Sequence, residues 1–159
     1  MCLTNTPDDP RLLNLQRRKR AAAIEQEIAT LASHVNAIQY RFIKLLGEFD
    51  ENNGWHGAGI KSFAHWLDYR CGIGQVEARE KVRVARALRD LPQIDAAFGA
   101  GEISCSKARA MTRAATPANE YQLLQIARYG TASHVEQVVR KYKRCKQYED
   151  PRSDGWLPD

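Results

Sequence analysis

The sequence predicts an all-α fold: a single-domain helical bundle with one long N-terminal helix and about six shorter helices. Three observations carry this. Apolar residues recur at helical spacing through most of the chain, and no segment shows the alternation of a half-buried strand. The 10 Gly and 6 Pro fall mostly between the periodic segments, where helices stop and start. A length of 159 residues, with 43% hydrophobic and 27% charged, is ordinary for a globular chain able to bury a core.

Residues 1–17 read as an N-terminal tail, 18–146 as the helical domain and 147–159 as a C-terminal tail. Helical character begins near Pro10, with Asp8 or Asp9 as cap, but the firm pattern starts later. Ile24, Ile28, Leu31, Val35, Ile38, Phe42, Leu45 and Phe49 follow a 4-3-4-3-4-3-4 spacing. That puts them on one seam of a long helix with the period of a coiled coil. Val, Ile and Phe are not strong helix formers, so burial of the seam has to stabilise the helix. It packs either on the helices that follow, which a small bundle favours, or against a second copy as a homodimer seam over Ile24–Phe49.

Asp50–Gly59 is turn chemistry. Ser62 caps a short helix through Tyr69, with Phe63, Trp66 and Leu67 inward, and Cys71–Gly74 turns the chain. A third helix runs from about Gln75 to Arg89, with Ala78, Val82, Val84, Ala85 and Leu88 on its apolar side. Pro92 starts a fourth, ending at Gly99–Gly101, and Ser104 opens a fifth to about Ala115. Thr116-Pro117 reads as a cap and first-turn proline for a sixth, ending at Gly130. Thr131 or Ser133 opens a seventh to about Lys146. A weak repeat, starting at Ile73, Ile103 and Ala132, opens a helix each time. Trp55, Trp66, Phe42 and Phe49 are expected in the core.

The net charge of +5 permits an anionic partner without demanding one. Arg79, Arg83 and Arg86 fall at i, i+4 and i+7 of the third helix, one cationic ridge opposite its apolar face. With Arg109 and Arg113 they are the candidates for phosphate contact with nucleic acid. The plainer account is a solvated face relieved by Glu77–Lys81, Glu80 and Asp90, and charge runs usually are surface. A helix-turn-helix reading of the second and third helices is weakened by Asp68, four residues before Gly72, where a small residue is normally needed. Arg17–Arg20 reads as an anchoring arm or a solubilising segment, and the cations from Arg140 to Lys146 suit a helix C-terminus without any ligand.

Cys2, Cys71, Cys105 and Cys145 form no CxxC pair, so reduced thiols in a cytoplasmic protein are expected. His56, His65, Cys71 and Cys105 have no spacing that compels a metal site, and His56 is expected to pack or cap its turn. No stretch is apolar enough for a membrane span, and no catalytic or phosphate-loop motif stands out. No metal, cofactor, small-molecule substrate or catalytic residue is therefore expected.

Four segments resemble one family: LLGEFDENNGWHGAGIKSFAHWLDYRCGIG, AREKVRVARALRDLP, AFGAGEISCSKARAMTRAATPANE and ARYGTASHVEQVVRKY. It is the actinobacterial "domain of unknown function 222", known from the thirteen-E-twelve repeat proteins, and the likeness covers about Ile28 to Lys146. In that family the helical region precedes an HNH nuclease. The resemblance implies a DNA-linked setting, not that this region cuts DNA. No HNH motif is present here, so the chain reads as a truncated or degenerate copy. The leading expectation is a non-catalytic helical domain of an HNH-endonuclease-like protein with a DNA-binding or accessory role. The alternatives are a dimerisation module without nucleic-acid affinity, and a remnant.

Overall fold

The computed structural model describes residues 10–149. The tail readings at 1–9 and 150–159, and the Asp8 or Asp9 cap, lie outside the described residues. The described chain is helical, with no strand among the described residues. It comprises α1 (Pro10–Glu51), α2 (Phe63–Cys71), α3 (Gln75–Ala87), α4 (Pro92–Gly99), α5 (Cys105–Met111), α6 (Glu120–Tyr129) and α7 (Ala132–Glu149). It divides into two compact units, with the boundary inside α1: residues up to Val35, and residues from Asn36 on.

In the first unit every described side chain is exposed. The seam residues Ile28 and Leu31 stand 61% and 55% open, and Ile24 and Val35 are exposed with them.

In the second unit the last turns of α1 bury Ile43, Leu46 and Gly47. Ile43 and Leu46 each sit one residue beyond a seam position, about 100° around the helix. The buried stripe is thus displaced from the seam, and Ile38 and Leu45 remain exposed. Of the eight seam residues only Phe42 and Phe49 pack against the core, so the expectation that the seam packs on the following helices is corrected to those two.

The short helices are set by local chemistry. Ser62 Oγ accepts from the His65 N–H at 3.1 Å and starts α2. Gly72 ends it in the left-handed region at φ 66, its N–H on Asp68 O, a conformation that costs a side chain. α3 buries Ala78, Val82, Val84 and Ala85, then tightens into a 3-10 turn over Leu88–Asp90. α4 starts on Pro92, which has no N–H to satisfy. Its Gln93 and Ile94 N–H groups donate to the carboxylate of buried Glu120, at 3.2 and 3.3 Å, so α6 caps α4 from outside. Ser104 caps α5 and Thr131 caps α7. The three weak-repeat segments therefore each open a helix: α3, α5 and α7.

Two boundaries differ from expectation. α5 ends at Met111 rather than near Ala115, and α6 begins at Glu120 rather than at Pro117. Asn119 explains the delay. Its side chain accepts from Thr116 N at 2.6 Å and donates to Ala114 O and Tyr142 Oη, both at 3.1 Å, which holds 114–119 as a turn.

The core is one cluster drawn from all the helices, with Phe98, Leu67, Ile94 and Met111 among its largest sealed side chains. Trp55, Trp66, Phe42 and Phe49 lie partly buried at its edge. Phe49 tilts against Trp66 at 4.7 Å and Phe63 at 5.8 Å between ring centroids.

Candidate nucleic-acid interface

The exposed side of α3 is the natural place to look for anion contact, because its apolar side faces the core. Its three arginines have different environments. Arg79 is exposed and has no hydrogen bond or ion pair among the described residues. Arg83 and Arg86 are each tied to a carboxylate.

Arg86 approaches Asp50, in the last turn of α1, side-on through Nε at 2.8 Å and Nη2 at 2.9 Å. The same carboxylate accepts Arg89 Nη2 at 3.1 Å and Trp55 Nε1 at 3.0 Å. Arg89 also donates to Gly47 O and pairs with Glu51. The Asp50 side chain is only 10% exposed. The Arg86 hydrogen bonds hold it down to about 2, against the opposing pull of burial, with further help from Trp55 and Arg89. The same contact raises Arg86 above its ordinary value.

Glu80 is a second hub. It takes both Nε and Nη2 of Arg83 at 3.2 Å, and Arg113 Nη2 at 2.9 Å. Arg83 goes on to Thr112 Oγ1 at 3.3 Å and Arg109 O at 3.0 Å, which stitches α3 to the end of α5. Hydrogen bonding from Arg83, then from Arg113, lowers Glu80 to about 2 although burial opposes it. Arg109 reaches Glu136 of α7 at 3.6 Å. Of the five candidate residues, four therefore carry a carboxylate partner from this chain; two of those pairs join different helices, and a third ties α3 to the turn after α5.

The expected relief of the ridge is partly present: Glu77 pairs with Lys81 at 3.2 Å and Glu80 with Arg83, while Asp90 makes no ion pair among the described residues. Asp50 is the contributor that local spacing did not single out. Its signal was its position one turn after Leu46 and Gly47 on the buried side of α1. Asp68, counted against a helix-turn-helix, accepts Gln75 Nε2 at 3.0 Å across the α2–α3 turn.

On α7, Arg140, Lys141, Lys143 and Arg144 make no ion pair among the described residues. Arg140 and Lys143 border a small cavity of about 170 Å³ with Arg113 and Glu136.

The His and Cys residues are dispersed into other roles. His56 stacks on Trp55 at 3.7 Å between centroids, with Nδ1 at Asn53 O. His65 Nδ1 accepts the Lys61 N–H. Burial pushes the Cys105 thiol up, and Cys71, Cys105 and Cys145 are free. Among the described residues no group of three or more His, Cys, Asp or Glu is placed to hold a metal ion, and no helix is long and apolar enough to cross a membrane.

Compared with known proteins, residues 22–145 match the family described as Domain of unknown function (DUF222). No curated protein and no solved structure matches the chain.

Proposed function

The chain belongs to the DUF222 family, and from that premise we propose that it is a non-catalytic helical module that self-associates through the seam of α1. One observation carries this reading. Six residues in coiled-coil register, Ile24, Ile28, Leu31, Val35, Ile38 and Leu45, are exposed. An isolated helix with such a face is poorly stabilised in water, and a second copy of the same seam offers knobs and holes of matching period. Burying each such side chain contributes about 1.5–3 kcal/mol when complete. By contrast, four of the five arginines proposed for phosphate contact already spend their charge on carboxylates of this chain.

The test is sedimentation of the full chain across a concentration series. The expected result is a monomer–dimer equilibrium that Ile28→Asp with Leu31→Asp abolishes. A monomer at every concentration up to about 100 μM, a range where specific protein pairs associate measurably, overturns the reading.

A second reading, an accessory role in DNA contact beside an HNH nuclease, is favoured by the free cations Arg79, Arg140 and Lys143. Duplex binding that weakens steeply with salt, and further in the triple variant R79A/R140A/K143A, supports it. No binding at low salt removes it.

A further inference from the structure

The flanks of the seam say which way a second copy must run. With Ile28, Val35 and Phe42 at the a positions and Ile24, Leu31, Ile38 and Leu45 at d, the g positions fall on Arg20, Glu27, His34, Arg41 and Glu48. All five are exposed. Arg20, Glu27, Arg41 and Glu48 make no ion pair among the described residues, although the body from Asn36 on pairs most of its arginines. Their signs read plus, minus, plus, minus around the central His34.

Resting on the self-association reading, we infer that the second copy packs antiparallel, with the twofold axis at Ser33. In that register each a residue meets a d residue of the other copy. Ile24 faces Phe42, Ile28 faces Ile38, Leu31 faces Val35, and Ala21 faces Leu45. Antiparallel seams bring g positions opposite g positions. Arg20 then meets Glu48 and Glu27 meets Arg41, each twice by symmetry, while His34 meets its own copy.

Every neighbouring arrangement loses this match. A slip of one heptad one way sets Arg20 against Arg41, and a slip the other way sets Glu27 against Glu48. A parallel in-register pair brings Arg20 to Glu25 but puts Glu27 beside Ala32 and Arg41 beside Leu46, so only one charged contact of opposite sign forms along the g positions. Like charges across a seam are a common way of excluding wrong registers.

Charge reversal tests the register. The dimer dissociation constant of the full chain is measured at low salt for wild type, E27R, R41E and E27R/R41E. Each single change creates two like-charge contacts and is expected to weaken the dimer about tenfold, and the double variant to recover to within about threefold of wild type. R20E, E48R and R20E/E48R are expected to behave the same way at the outer pair. These side chains are exposed, so helicity by circular dichroism, compared in dilute solution where every variant is monomeric, stays at the wild-type level. Absence of a wild-type dimer defeats the self-association reading itself. A dimer in which neither double variant recovers overturns the antiparallel register and leaves self-association standing.

Discussion

The α1 segment before Val35 and the body from Asn36 onward use the same residue types in opposite ways. Before Val35, isoleucine and leucine face water, and Arg17, Arg18, Lys19 and Arg20 make no ion pair among the described residues. From Asn36 onward, apolar side chains fill a core, and arginines are drawn onto Asp50 and Glu80. A row of cations is therefore weak evidence for an anionic ligand wherever the fold can bring a carboxylate to it. A row of apolar residues with nothing over it is better evidence for a partner.

The contrast breaks most sharply at Asp50. Asp50→Ala leaves Arg86, Arg89 and the Trp55 indole N–H without their shared acceptor in a site where the carboxylate is 10% exposed. The expected loss is about 3 kcal/mol of unfolding free energy, read by urea denaturation. A loss below about 1 kcal/mol, the scale of a surface pair, shows that the clamp is only a surface contact.

Acidification probes both hubs together. Asp50 lies below its usual 3.8 and Glu80 below its usual 4.5, each at about 2 in the folded chain. A depressed folded value means stability that is complete above the unfolded value and lost as pH falls toward the folded one. Stability should therefore hold down to about pH 5 and then drop by roughly 2 kcal/mol by pH 2, once the partial exposure of Glu80 is allowed for. In Asp50→Asn the drop shrinks to the Glu80 share, and a wild-type curve flat between pH 5 and 2 removes the hubs as stabilising elements.

What could be read in advance follows the range of the interaction. Ser62, Gly72, Pro92, Ser104 and Thr131 act on backbone groups within four residues, and each marks a helix end where its chemistry says it should. The Glu80–Arg83 pair is three residues apart and was legible for the same reason. Asp50 meets Arg86 across 36 residues, and Asn119 meets Tyr142 across 23, and no local pattern encodes either meeting. The period of the seam was plain in the sequence. Its exposure was not, because the core took an adjacent stripe of the same helix, Ile43 and Leu46. Arg83 finds its carboxylate three residues away on α3, but the carboxylates that hold Arg86 and Arg109 come from α1 and α7, which local spacing does not encode.

Glu120 offers a smaller effect of the same long-range kind. Glu120→Ala removes the acceptor for the first N–H groups of α4, and it should cost about 1–2 kcal/mol in denaturation. Glu120→Gln, which keeps an acceptor oxygen but loses the charge, should cost less. Equal losses in the two variants point to packing rather than capping.

The smallest effect on folding is expected at the exposed part of the seam. Ile28→Ser and Leu31→Ser remove large side chains, yet these are 61% and 55% exposed. In dilute solution, where the chain is monomeric, each should shift the unfolding free energy of the body by no more than about 0.5 kcal/mol. At concentrations where wild type is dimeric, the same substitutions should remove the concentration dependence of the melting temperature, because a partner that binds only the folded chain stabilises it by mass action. A buried leucine behaves in the opposite manner: Leu67→Ala, in the sealed core, should cost about 2–5 kcal/mol at any concentration. If Ile28→Ser costs as much as Leu67→Ala in dilute solution, the seam is covered within the monomer, and the distinction between the two regions collapses.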